Sequence, residues 1–181
     1  MSLITKYLVL QDGLSDWVGK SISWLIPLMI GILLWEIANR YIIGVPTEWV
    51  HQLSAMIYGT VCFGAGAYTL RHKGHVRSEV IYQMFSKRGR AFLDLITHSL
   101  GLFVMCIFFK LAWEFAAESW AMEEISNKGT WQPIIYPFKT VMPIAVGLVI
   151  LQSLAELIRD FCTAFNIEID DPRAQEHEPL T

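Results

Sequence analysis

Four long apolar stretches separated by short polar breaks dominate the 181-residue chain. They run from about Ile22 to Ile43, Trp49 to Leu70, Ala91 to Trp113 with an extension to Trp120, and Pro137 to Phe161. A bilayer core about 30 Å thick is crossed by roughly 20 apolar residues in a helix. Lipid offers no partner for free backbone N–H and C=O groups, so each stretch must be helical. The pattern predicts an all-α integral membrane protein with a four-helix transmembrane domain over 22–161, its spans at about 22–43, 49–70, 91–120 and 137–161.

Between the second and third spans the period changes. Val76, Val80 and Met84 recur at steps of four, Ile81 and Phe85 widen the stripe, and Arg77, Glu79, Gln83 and Lys87 fall largely elsewhere on the wheel. This predicts a cytoplasmic-side amphipathic interfacial helix over about 76–88, with Gly74 and Gly89 punctuating its ends. In residues 1–21 a short apolar run is broken by Gln11, Asp12 and Asp16, with no small-residue cleavage site after it. They read as a retained N-terminal cytoplasmic or interfacial segment. Residues 162–181 read as a polar cytoplasmic tail without order of its own.

Composition agrees with the spans. Apolar residues make up 54% and charged residues 17%, against roughly 45–50% and about 25% in soluble domains; mean hydropathy is +0.41. A net charge of −3 gives no reason to expect a nucleic-acid partner. Placement of the charges says more. Arg71, Lys73, Arg77, Lys87, Arg88 and Arg90 crowd the loop between spans two and three, whereas Glu118, Glu123 and Glu124 outnumber Lys128 in the next loop. Lys and Arg accumulate on the cytoplasmic side, which puts the basic loop and both termini in the cytoplasm. Together with His75 these side chains would anchor the chain to membrane phospholipids, each cation near the surface contributing about 1 kcal/mol. Most of the tryptophans fall near span ends, as an aromatic belt does.

Candidate chemistry is sparse. Cys62, Cys106 and Cys162 lie far apart in apolar runs and form neither a metal spacing nor a disulfide framework. His72, His75 and Glu79 could share one face, but Gly74 interrupts the helix between them and no second cluster completes a metal shell. The intramembrane charges carry more, because a charge at mid-bilayer costs at least about 2.5–3.5 kcal/mol and normally faces protein or water. Glu36 and Arg40 lie one turn apart in span one, as do Lys110 and Glu114 in span three. The reading is cross-helix pairing, Glu36 with Lys110 and Arg40 with Glu114 or Glu118; the alternative is that Arg40 and Glu114 snorkel to the outer surface. Asp94 is expected to pair with Arg90 or Arg77. Asp94 with His98 on span three, and Gln152, Glu156 and Arg159 on span four, form polar edges that suit a proton relay or a subunit interface. Ala55, Gly59, Cys62 and Gly66 recur at steps of four, three and four, a small-residue helix-packing face. No phosphate loop, nucleophile elbow or paired-cysteine motif is present, and no span is interrupted midway as carrier sites are. The chain is therefore read as no enzyme, without catalytic, metal or cofactor residues. Two rivals remain: a stand-alone oligomeric proton-coupled exporter using Glu36, and a four-helix haem protein. For the second, His51 and His98 fall on opposite sides and cannot pair, which leaves only His98 with His72 or His75, near the surface, as axial ligands.

Read in order, "WEIANRYIIGVPTEWVHQLS", "GAGAYTLRHKGHVRSEVIYQMFSKRGRAFLD" and "WQPIIYPFKTVMPIAVGLVILQSLAELIR" resemble the small membrane subunit (DctQ type) of tripartite ATP-independent periplasmic, or TRAP, transporters. The likeness covers about Trp35 to Arg159 and is most specific in "GHVRSEVIY" and "SKRGRAFLD". The chain departs from the family pattern with Gln52 where Glu is common and Glu79 where Asp is common. The resemblance implies a location in the bacterial inner membrane and partnership with a large multi-helix permease subunit, which would hold the sodium and substrate sites. It also implies a periplasmic substrate-binding protein, uptake of an organic acid or similar small solute, and a scaffold role for this chain.

Overall fold

The computed structural model describes residues 3–72, 87–127, 129–165, 167 and 173, and for residues 87, 88, 90 and 91 the backbone alone. Helix α1 covers Leu3–Ser23 and α2 covers Leu25–Ala38. The break between them has a local cause. Pro27 has no N–H to give the Ser23 carbonyl one turn back, and Trp24 N–H reaches only Ser21 O at 3.3 Å. A π turn, Asn39–Ile43, ends α2, and Gly44 closes it at φ 77°, a left-handed conformation that glycine adopts without strain. Helix α3 is Trp49–Arg71 and α4 is Lys87–Ala121. A short hairpin follows, with the bridge Ile125–Ile134 and Ser126 N–H donating to Pro133 O at 2.9 Å. The single turn α5, Tyr136–Lys139, leads into α6, Val141–Phe165.

Four helical stretches are long and apolar enough to span a membrane: Leu3–Ile43, Trp49–Arg71, Phe92–Ala121 and Tyr136–Phe165. The all-α, four-span architecture is thus present. The expected interfacial helix at 76–88 lies almost wholly outside the described residues, as do Lys73, His75, Arg77 and Glu79; Lys87, Arg88 and Arg90 are seen as backbone in the first turn of α4. The segment 1–21 is helical from Leu3 and packed against α3 and α6.

The spans stand in a row and not in a closed ring. Helix α6 packs on α4 at one side and on α3 at the other, and α2 packs beyond α3. Helix α1 lies across the α3–α6 junction. Helices α2 and α4 therefore form opposite edges. Polarity is inverted relative to a soluble fold. Helix α1 buries Thr5, Gln11, Asp12 and Ser15 beside Leu8, yet exposes Leu3, Leu10 and Trp17. In α2 the one buried side chain is Glu36. Lipid covers apolar side chains as well as protein does, so what the interior gains from is polar pairing and close backbone approach. Small residues serve the second need: Ala112, Ala116, Ala145 and Ala155 are buried at helix contacts.

The small-residue face expected on α3 divides. Gly59 lies under the Phe138 ring and Gly66 against Val149, both within the chain, whereas Ala55 and Cys62 are exposed. The buried positions of α3 are Val50, Ile57, Gly64 and Ala67. Gly64 admits Ile22, and Gly19 of α1 admits the Tyr68 ring.

Polar side chains gather in two belts. One holds His98, Asp160, Arg71 and Asp16 at the end where α3 gives way to the basic segment. The other holds Ser119, Glu124, Lys139, Glu48 and Gln52 at the hairpin end. Along α4, His98 to Ser119 measures about 31 Å, and along α6, Thr140 to Asp160 about 30 Å, at 1.5 Å per residue. That spacing equals the hydrocarbon thickness of a typical bilayer, about 30 Å.

Candidate functional site

The densest polar site is a clasp where α1 crosses α6. Arg159 Nη2 donates to Asp12 Oδ2 at 2.7 Å and Nη1 to Glu156 Oε1 at 3.0 Å. Gln152, fully buried, donates from Nε2 to Asp12 Oδ1 at 3.1 Å and to Glu156 Oε1 at 3.2 Å, and its Oε1 accepts from Ser15 Oγ at 2.7 Å. Arg173 returns from beyond α6 to donate to Glu156, and Arg71 of α3 sits against Asp16. Three carboxylates thus face three guanidinium groups, so the burial is electrically balanced. A buried carboxylate is tolerated when paired and hydrogen-bonded, and every carboxylate here is. Next to the clasp, His72 Nε2 lies 3.2 Å from Asp16 Oδ1, and His98 Nδ1 lies 2.6 Å from Asp160 Oδ2.

The sequence reading missed the α1 half of this site. Asp12 and Asp16 read as breaks in an apolar run. The available signal was the spacing Thr5, Leu8, Asp12, Ser15, Gly19, Ile22, alternating three and four, which places small and polar residues on one helical face. The polar edge Gln152, Glu156, Arg159 was legible; its partners were not. Asp94 was expected to meet Arg90 or Arg77, whose side chains lie outside the described residues.

The intramembrane charges of α2, with its π turn, and of α4 pair within their own helices. Arg40 Nη2 donates to Glu36 Oε1 at 2.7 Å, and the other carboxylate oxygen accepts from the Thr47 N–H at 3.0 Å and from the Thr47 hydroxyl. Lys110 Nζ lies 3.7 Å from Glu114 Oε1. The cross-helix pairs Glu36–Lys110 and Arg40 with Glu114 or Glu118 do not form, because α2 and α4 occupy opposite edges of the row with α3 and α6 between them. Thr47 takes the place expected for Lys110, brought there by the π turn and Gly44. In the connections, Glu48 accepts from the Thr130 N–H at 2.9 Å, and Glu124 accepts from Lys139 and from Ser119 Oγ at 2.6 Å. These contacts hold both carboxyls below the ordinary carboxylate range, through Thr130 for Glu48 and chiefly through Lys139 for Glu124. Lys139 also sits 4.1 Å over the Phe115 ring.

Apart from the exposed Lys110 and Glu114, these groups are committed to one another. A coupling carboxylate must be free to exchange a proton with solvent or substrate, and Glu36 is engaged at both oxygens. Among the described residues no three His, Cys, Asp or Glu side chains gather as a metal site. Among the described residues the buried polar clusters lie toward one belt or the other, with no buried chain linking the two. Such a body can dock and orient. A family model described as "Tripartite ATP-independent periplasmic transporters, DctQ component" matches residues 29–163, three quarters of the chain. The chain belongs to the DctQ family. No curated protein and no solved structure gives a significant match. The DctQ family comprises the small membrane component of TRAP transporters, and with four apolar spans this member is a multi-pass inner-membrane protein.

Proposed function

We propose that this DctQ component is the scaffold subunit of a sodium-driven TRAP uptake system for an organic acid or similar small solute. In this reading it anchors a large multi-helix permease subunit in the membrane. The large subunit carries the sodium and substrate sites, and a periplasmic binding protein delivers the solute. Both termini and the basic segment face the cytoplasm, where Lys73, His75, Arg77, Lys87, Arg88 and Arg90 hold the chain against phospholipid headgroups; Arg71, expected among them, is instead taken up by Asp16 inside the clasp. The observation that carries the scaffold role is the internal pairing of the buried charges in α1, α2 and α6: a body whose buried ions are mutually satisfied at two belts has none left to escort cargo.

Copurification from the native membrane tests the reading. The tagged chain is expected to bring down a multi-helix permease subunit, and sodium-dependent uptake is expected only when both are reconstituted with the binding protein. Solute movement by this chain alone in vesicles overturns it.

A further inference from the structure

Helix α4 is an edge of the row and packs on one side only, through positions such as Phe109, Ala112, Ala116 and Ser119. The opposite side carries Phe103, Ile107, Lys110 and Glu114 at steps of four, three and four, all exposed. The Lys110 and Glu114 side chains are 78% and 60% exposed, so none of the described residues covers them. Their depth is the difficulty. Phe109, next to Lys110, touches the Gly147 level of α6. Lys110 stands about 18 Å from His98 and about 13 Å from Ser119 along the helix, which is close to the bilayer midplane. A lysine stem of about 6 Å directed toward Glu114 still ends about 7 Å short of the hairpin-end belt. The 3.7 Å contact with Glu114 leaves most donors of the ammonium and most acceptors of the carboxylate without a partner. Hydrocarbon cannot supply those partners.

The other edge differs. Helix α2 exposes Leu28, Ile30, Leu33, Leu34 and Ile37 and keeps its carboxylate, Glu36, inside; lipid suffices there. A second copy of the chain is a poor occupant for the α4 strip. A two-fold axis along the membrane normal brings a second Lys110 to the same depth, adding a like ammonium in a low dielectric and offering Lys110 only a Glu114 that is already engaged by its own chain.

We propose that the strip Phe103, Ile107, Lys110 and Glu114 is the surface on which the large permease subunit seats a transmembrane helix, one that presents an acidic or amide side chain to Lys110. This rests on the proposed function, and it names the face that function uses.

The test uses the complete transporter with an affinity tag on this chain. A photo-cross-linking benzoylphenylalanine replaces Ile107 on the strip or Leu33 on the α2 edge. The expected result is an adduct with the large subunit from position 107, about fivefold or more above position 33. Lys110→Leu is expected to lower recovery of the large subunit about tenfold, the loss of one charged hydrogen bond in an interface. The isolated variant should keep the melting temperature of the parent, since the side chain is 78% exposed and its charge reaches Glu114 alone among the described residues. An adduct with a second copy, equal yields from both positions, or undiminished recovery with Lys110→Leu overturns the surface while leaving the proposed function standing. A parent chain that brings down no large subunit overturns both.

Discussion

Arg159 is the residue on which the clasp turns, because it bonds Asp12 of α1 and Glu156 of its own helix at once. Arg159→Leu leaves the three carboxylates of the clasp facing two cations, Arg71 and Arg173, and should cost up to about 3–5 kcal/mol, read as thermal unfolding in detergent. Removing the partner as well, Asp12→Leu with Arg159→Leu, should cost less than the sum of the single changes, since the two share one interaction. A different residue carries the pH response. Glu124 is held below the ordinary carboxylate range by Lys139 first and Ser119 second, against desolvation. A depressed folded-state value means the unfolded chain takes up its proton at higher pH. The stabilisation is therefore present above the ordinary range and lost as pH falls through the depressed value. Hydrogen-exchange protection over 122–135, taken relative to the intrinsic rate at each pH, should fall between about pH 5 and pH 3, and Glu124→Gln should flatten that dependence.

Between elements, glycine decides how closely α1 can dock. A Cβ at Gly19 would run into the Tyr68 ring and stand 2.7 Å from Tyr68 Cβ, close to the backbone of α3. A Cβ at Gly64 would meet the far end of the flexible Ile22 side chain. Gly19→Ala should therefore destabilise by about 1–3 kcal/mol, and Gly64→Ala by less, in the same unfolding assay. The elements themselves were legible in the sequence because a spanning helix has a length and an apolarity that few other structures share. The start of the first helix was not: with Asp12 and Asp16 in it, α1 looks like surface until Arg159 and Arg71 are placed opposite them. The same limit explains the charge pairs. Glu36 and Lys110 sit at compatible distances from their helix starts, but sequence depth carries no information on which helices are neighbours, and α2 and α4 are not. The Thr47 contact depends on a π turn that no apolar pattern announces.

At the scale of the molecule, a row of spans whose α2 edge suits lipid and whose α4 edge carries an exposed ion pair is suited to stand edge-on against something larger, and the basic segment is suited to keep it from sliding. Neutralising Arg77, Lys87, Arg88 and Arg90 together should loosen assembly or cut uptake several-fold, each cation near the surface contributing about 1 kcal/mol; unchanged uptake counts against the anchoring role. The two polar belts have a further consequence for anyone who handles the protein. Their separation makes the chain a gauge of acyl length. In vesicles of markedly longer lipid tails the His98–Asp160 or the Glu124–Lys139 pair must be drawn into oil or the bilayer must thin, and in shorter tails the helices must tilt, at fractions of a kcal/mol per Å. Lipids whose tails match the gauge should keep it intact longest.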